Sequence, residues 1–497
     1  HGVVRARSLL THRRRVGAAT GLLLAAACSV NAATGRLQLT TISDSQEIAL
    51  GAQTDEEVVE ALGLYDDEAL AAMVSRVGAK LAAGSERAQL PWTFRVLDEP
   101  AVNAFALPGG FVYATRGLLV HLQSEDELAA VLGHEIGHVT ARHGVVQLRK
   151  SRVAAASVGV FRIVDPNLRH VGGIAAGTAG LALLKYSRDD EYEADSLGLR
   201  YAARAEYDRA ATVAVFDMLV GVSKAESSAR VPTWMSTHPD PELRRARVRS
   251  MLPPGAEPPP PDPEYLAQIE GVVYGDDPRQ GYVAGTTFVY PPQGFALDLP
   301  PGWQASHQGG RLMALSEDEK AVLVLTPSDA ESAAQALEAF FADGSMERGE
   351  SWQGKVGGFE VASAGFTAAG SDGSVMGLLA FIDYGDQVLA LAAMGPGEGW
   401  TARSEAVATS FASFRRAERA LQNVEPMRVR LLETRDDTTL AAIYEQRGAP
   451  IELSALALLN AIEPDEALGS GTMLKWVEGF NPAAVSPSTT PAPDSPP

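Results

Sequence analysis

The sequence predicts an α+β chain: a mainly helical first domain with a small sheet, an α+β accessory domain, and a small β-α-α-β unit. Three observations carry this reading. Before residue 252, long segments with apolar residues at helical spacing surround a few short strand-like runs. A proline-rich break, Pro253–Pro263, then interrupts the pattern. Beyond it alternation becomes common, as at Phe295, Leu297 and Leu299. At 497 residues the chain is long enough for several domains, and its 46% hydrophobic content is ordinary for a globular protein. The formal charge of −20 argues against a nucleic-acid partner, which needs a basic surface.

The first residues read as an address. Arg5, Arg7, Arg13, Arg14 and Arg15 are the only charges among residues 1–27. Arg13–Arg15 precede an apolar run, Val16–Ala27, too short to cross a bilayer, so residues 1–27 read as a signal peptide. The run ends at Leu24-Ala-Ala-Ala-Cys28, which places the chain's single cysteine where a bacterial lipobox would have it. Ala25 stands where that pattern favours Leu. Two readings follow: lipidation at Cys28, or ordinary cleavage that frees an exported protein. Lipidation explains a lone thiol in an oxidising compartment. Ser29 after the cysteine then favours the outer membrane, by analogy with such lipoproteins. Val171–Leu184 is apolar but short, and reads as a buried helix.

Ser43–Leu62 reads as an amphipathic helix opening at Ser43 or Asp44, and Asp66–Gly84 as a second. Trp92–Leu97 alternates like a strand. Val102–Leu107, a Pro108-Gly109-Gly110 turn and Phe111–Thr115 read as a hairpin. It is either plainly structural, or one of its strands is an edge that holds an extended peptide.

A helix from Ser124 to about His143 follows. Ser124 and Glu127 form a capping-box pattern, and Leu128, Val131, Leu132, Ile136 and Val139 make an apolar stripe. His134 and His138, four residues apart, project from one side of this helix. Glu135 lies about 100° round from His134 and can reach a water on a metal held by the histidines. This is H-E-x-x-H, two zinc-binding nitrogens and a general base. Gly133 and Gly137 each cost about 1 kcal/mol of helix propensity, which suggests that something packs closely beside them. Gly144 is the expected C-cap. His143 sits about 140° off the face of His138 on a continuing helix, so it is not expected as a ligand.

Ser187–Tyr201 reads as another helix, with Ser187 as N-cap and Asp189 and Asp190 at its positive end. Glu191 and Asp195 share one face. Glu191 is a candidate third zinc ligand; Asp195 can accept a hydrogen bond from the free nitrogen of His134 or His138. A solvated acidic face is the alternative. Asp240 and Pro241 resemble an N-cap and first-turn pair, so a helix starts just after His238.

His134-Glu-Ile-Gly-His138 followed by Glu191-Tyr-Glu-Ala-Asp195 resembles the gluzincin zinc metallopeptidases of the HtpX and CaaX prenyl protease type. Asn103-Ala-Phe-Ala-Leu-Pro-Gly-Gly110, Leu128–His143 and Tyr186-Ser-Arg188 carry the same resemblance. Thr34-Gly-Arg-Leu-Gln-Leu39 is similar to the periplasmic BepA/LoiP-like lipoprotein branch. The resemblance covers about Thr34–Leu252. It implies one Zn2+ per chain on His134, His138 and Glu191, with Glu135 as base. It implies that His238 takes the fourth zinc position or stabilises the transition state, with Arg244 at the same site. It further implies cleavage of misfolded envelope proteins in the periplasm of a Gram-negative bacterium, with the outer-membrane assembly machinery or peptidoglycan as possible partners. A chaperone-like or wall-binding scaffold with structural zinc, and a wall amidase using the same chemistry, are the competing readings.

The expected division is therefore a signal peptide (1–27), a lipid-anchored tether (28–42), a zincin-type metallopeptidase domain (43–252), a proline-rich linker (253–281), an α+β accessory domain (282–418), a terminal module (425–479) and a disordered tail (480–497). In the accessory domain Ala321–Leu325, Gly377–Ile382 and Gln387–Met394 read as strands, and Ser332–Phe341 and Trp400–Ser413 as helices. Phe295-Ala-Leu-Asp-Leu-Pro-Pro-Gly-Trp303 resembles the opening of PsbP/Mog-like domains. Met427–Val477 resembles a degenerate LysM module: Asn460 matches, but Arg435-Asp-Asp-Thr-Thr439 departs from the usual P-G-D-T.

Overall fold

The computed structural model of the chain describes residues 28–39, 42–147, 186–226, 238–308, 310–342, 344–370, 373–422 and 424–480. The expected signal peptide, the Val171–Leu184 helix and nearly all of the expected tail lie outside them.

The first strands, β1 (Cys28–Val30) and β2 (Leu37–Leu39), pair antiparallel. The segment read as a tether is docked: Ala33 is buried in the main core and the Asn31 amide donates to the Thr140 carbonyl at 3.0 Å. Helix α1 (Asp44–Leu62) starts at a capping box made by Ser43 and Gln46. Helix α2 (Glu68–Ala83) starts at Asp67, whose carboxylate accepts the Leu70 N–H at 2.9 Å. Strands β3 (Thr93–Leu97), β4 (Ala104–Leu107) and β5 (Phe111–Thr115) form one sheet in the order β3-β5-β4. The expected hairpin is β4–β5, and its turn places Gly109 and Gly110 at φ 90° and 103°, values that favour glycine. β3 joins β5 in parallel, a pairing that local alternation does not specify.

Helix α3 (Arg116–His121) leads into α4 (Glu125–Ala141), capped by Ser124 and buried along most of its length. Helices α5 (Arg188–Arg204), α6 (Ala211–Glu226) and α7 (Pro241–Met251) complete the wall around it. The glycines on α4 have the close neighbour their cost implied. A Cβ on Gly137 would lie 2.9 Å from the Ala194 carbonyl oxygen, and one on Gly198 would lie 3.0 Å from the His134 nitrogen. Thus α4 and α5 cross with backbones nearly touching.

One expected cap is different, and another lacks its side-chain bond. Gly144 does not cap α4; Arg142 does, in the left-handed region at φ 62°. A side chain there costs about 1–2 kcal/mol. Glu47 on α1 offsets it, with a carboxylate oxygen 2.9 Å from Arg142, and the Ile42 carbonyl accepts from the same guanidinium at 2.7 Å. Asp240 does occupy the N-cap of α7, but at φ 61° its side chain makes no capping bond and pairs with Arg188 instead.

The proline-rich stretch delivers helix α8 (Pro263–Ile269), and Tyr265, Leu266 and Ile269 enter the main core. Beyond it, β6 (Tyr282–Ala284), β7 (Thr287–Tyr290) and β8 (Phe295–Asp298) make a small sheet with β16 (Arg415–Arg416). A seven-stranded antiparallel sheet is built from β9 (Gln304–Gln308), β10 (Arg311–Leu315), β11 (Val322–Ser328), β12 (Glu347–Val356), β13 (Phe359–Gly370), β14 (Gly373–Tyr384) and β15 (Gln387–Pro396), in the order β12-β13-β14-β15-β11-β10-β9. Helices α9 (Ala333–Phe341) and α10 (Trp400–Ala412) pack on it near their expected limits. β12 is absent from the sequence reading because most of its residues are exposed on both faces, which erases the alternation.

After the short α11 (Arg419–Gln422), β17 (Arg428–Glu433), α12 (Leu440–Arg447), α13 (Leu453–Asn460) and β18 (Met473–Glu478) form the expected β-α-α-β unit. It docks on the first domain. Val429, Leu456, Leu459 and Trp476 share one hydrophobic core with Leu128 and Leu132. The buried Lys475 ammonium donates to the Val120 and Leu122 carbonyls at 2.8 and 2.9 Å, at the end of α3. Burial pushes Lys475 down towards neutrality and pushes nearby Glu127 up, each partly opposed by the other's charge.

Two expectations follow. Gly137→Ala gains helix propensity but forces the crossing apart, so it lowers stability by about 1–2 kcal/mol in thermal unfolding, the reverse of its effect on an isolated helix. Lys475→Met strands two buried carbonyls and Glu127, and lowers unfolding free energy by about 3 kcal/mol in denaturant titration. An unchanged midpoint would show that the ammonium does not hold the terminal unit.

Candidate metal centre

Three elements deliver the donors. His134 and His138 come from α4 and Glu191 from the first turn of α5. His238 immediately precedes α7, two residues before the Asp240 cap. All four are buried, and one ligand atom from each falls within 4.8 Å of the others. Nε2 of His138 lies 3.0 Å from Nε2 of His134, which lies 3.4 Å from Nδ1 of His238. The Glu191 carboxylate stands 3.5 Å from His134, 3.6 Å from His138 and 3.0 Å from His238. Tetrahedral ligands at about 2.0 Å from zinc lie about 3.3 Å from one another, so these spacings fit one ion. Three imidazoles and a carboxylate are also the donor types zinc prefers.

The carboxylates are held by Arg244, fully buried on α7. Its guanidinium grips Asp195 with two bonds, at 2.6 and 3.0 Å, and stands 2.6 Å from a Glu191 oxygen. Burial opposes ionisation of both acids; His238 and Arg244 outweigh it at Glu191, and Arg244 outweighs it at Asp195, so both stay below the usual carboxylate range. Asp195 also lies 3.0 Å from Nδ1 of His134, which leaves Nε2 of that ring facing the centre. Burial lowers the His138 imidazole well below its ordinary value and favours the neutral, ligating form.

Glu135 points to the same place without joining the ligand group. Both of its carboxylate oxygens are buried and accept no hydrogen bond among the described residues; Nε2 of His238 lies 3.7 Å from one of them. A buried carboxylate left this way is costly unless a water, substrate or ion meets it.

The structure thus gathers every residue singled out from the sequence except Cys28, which lies in β1. It adds two. Tyr186 stacks on His138 with ring centroids 4.0 Å apart and planes at 22°. His143, set aside on helical geometry, returns to His138 with its Nδ1 3.0 Å from the Nδ1 of that ring. The left-handed turn at Arg142 redirects it, and only the tertiary contacts of Arg142 could have signalled that.

Residues 68–252 match Peptidase family M48. The chain is 35% identical over 164 residues to the mitochondrial metalloendopeptidase OMA1 of Arabidopsis thaliana, covering 33% of this chain and 32% of that protein. It is 28% identical over 218 residues to the beta-barrel assembly-enhancing protease of Escherichia coli K12, covering 42% of this chain and 44% of that protein. The chain spans less than half the length of these curated relatives. Among solved structures, LpqN, involved in cell envelope biogenesis of Mycobacterium tuberculosis, covers 25% of this chain and 83% of its own at 10% identity and a TM-score of 0.21. All four residues of the cluster lie within the segment that matches Peptidase family M48.

Proposed function

We propose that the chain is a zinc-dependent endopeptidase that hydrolyses peptide bonds of unfolded or misfolded envelope proteins, with Glu135 as general base. The observation that carries this is the buried Glu135 carboxylate, which accepts no hydrogen bond among the described residues, beside four buried donors spaced for one ion. His134, His138 and Glu191 are the ligands. Zinc, when bound, supplies Lewis acidity, easing deprotonation of water near neutral pH and polarising a carbonyl. Glu135 takes the proton of the attacking water and returns it to the leaving amine. Burial pushes its carboxyl up, opposed by His238 and His134, which makes it a stronger base than an exposed carboxylate. His238 is the better placed of the two candidates to meet the developing oxyanion, because Arg244 is already engaged with Asp195 and Glu191. Strand β4 is an edge of its sheet, which supports it as the place where an extended substrate lies.

The placing of His238 supports a latent resting form. With its Nδ1 among the donors, His238 would give a bound ion a fourth ligand and leave it no open position, the mark of a closed zinc site. Activation then requires His238 to withdraw.

Export and lipid anchoring at Cys28, with placement at the outer membrane of a Gram-negative bacterium, complete the proposal. No helix among the described residues is long and apolar enough to cross a membrane. The name of the Escherichia coli relative supports clients in beta-barrel assembly; the LysM-like pattern supports peptidoglycan contact instead. A chaperone-like scaffold with structural zinc is the alternative.

Glu135→Gln is expected to retain zinc by metal analysis and to lose casein hydrolysis by at least about a hundredfold. Hydrolysis at the unsubstituted rate would remove the general-base assignment, and zinc without cleavage in the parent chain would favour the scaffold or the latent form. If His238 holds the resting site closed, His238→Ala raises casein hydrolysis; a fall to zero would assign His238 to the oxyanion and to catalysis rather than latency.

A further inference from the structure

Nothing in the H-E-x-x-H pattern says what meets the far side of the second histidine. On His134 that side is taken by Asp195, 3.0 Å from Nδ1. On His138 it is taken by another imidazole. Nε2 of His138 faces the donor cluster, 3.0 Å from His134 and 3.6 Å from Glu191, so in the ligating form this nitrogen carries no proton. Its proton is then on Nδ1 and needs an acceptor. Nδ1 of His143 lies 3.0 Å away. That nitrogen can accept only if it is unprotonated, which puts the His143 proton on Nε2. Nε2 of His143 lies 3.1 Å from a Glu193 carboxylate oxygen, with Asp190 further off at 3.6 Å. Glu193 is in turn 3.3 Å from the Arg36 guanidinium. One tautomer on each ring satisfies every contact, and the chain of bonds runs one way, from His138 to Glu193.

We propose that His143 is a positioning residue for His138, accepting its Nδ1–H and transmitting the hold of Glu193 so that Nε2 stays aimed at the metal. The proposal rests on the reading of the cluster as a zinc site. It extends the carboxylate–histidine–metal arrangement by one ring. Tyr186 fixes the plane of His138 by stacking; His143 fixes its rotation and tautomer. The arrangement requires the αL turn at Arg142, because a continuing helix would carry His143 about 140° away from that face. It also ties the docked segment around Arg36 to the metal helix.

The test is zinc affinity of the full chain by competition with a chromophoric chelator, together with the visible spectrum of the cobalt(II)-loaded protein. His143→Leu keeps the bulk but not the acceptor, and is expected to weaken zinc binding by about 10–100-fold and to shift the cobalt bands. His143→Asn keeps an oxygen that can accept from Nδ1–H, and is expected to stay within about threefold of the parent. Glu191→Ala serves as the control that loses the metal. Parent-like affinity and spectrum in His143→Leu, with the metal lost in Glu191→Ala, would overturn the positioning role while leaving the zinc site intact. Equal weakening in the Leu and Asn variants would reduce His143 to packing and also overturn it. A parent chain that takes up neither zinc nor cobalt would sink the underlying site reading as well.

Discussion

The close crossing of α4 and α5 is the constraint on which the site depends. The H-E-x-x-H face alone supplies two nitrogens. The carboxylate comes from residue 191, far along the chain, and it reaches them only because Gly133, Gly137 and Gly198 let two helix backbones approach until a Cβ would strike a carbonyl or an amide. Glycine is a poor helix former, so these positions lower local propensity. The loss is recovered where Ala194 and Leu197 pack against α4 without a gap.

Once the helices meet, charge must be managed in a space that excludes water. Glu191, Asp195 and Glu135 lie within the same buried volume, and uncompensated they would repel one another. Arg244 resolves most of this. Its planar guanidinium binds Asp195 with two bonds and touches Glu191, which a lysine could not do with one point charge. It thereby connects α7 to both acids on α5 and fixes the place of His238, which stands six residues before it. The one acid outside this arrangement is Glu135, whose oxygens meet the space where chemistry is proposed.

The surrounding chain braces the metal helix at both ends. At its C-terminal end, Glu47 and Ile42 hold Arg142 in the left-handed turn, and Asn31 reaches the Thr140 carbonyl. At its start, Gln123 donates to the Leu459 carbonyl at 2.9 Å, and Lys475 caps the preceding helix from the terminal unit. The β-α-α-β unit therefore shares the core of the segment that carries the donors, although the proline-rich linker and the accessory domain separate them in sequence.

Much of this is written locally. The caps at Ser43, Asp67, Ser124 and Ser187, the apolar stripe of α4, the i,i+4 spacing of His134 and His138, and the Pro108-Gly109-Gly110 turn each depend on residues within a turn or two. The sequence by itself therefore determined those helices, the hairpin, the elements of the terminal unit and the candidate ligands. Tertiary structure decided what depends on distant partners. The parallel pairing of β3 with β5 joins segments that have no common turn to set their register. β12 has no buried face to leave a pattern. Arg142 adopts a costly backbone because Glu47, nearly a hundred residues earlier, stabilises it, and with that turn His143 comes to lie against His138 rather than away from it. Side-chain period describes one helix in isolation; which residues end up in contact is settled by the energy of packing several together.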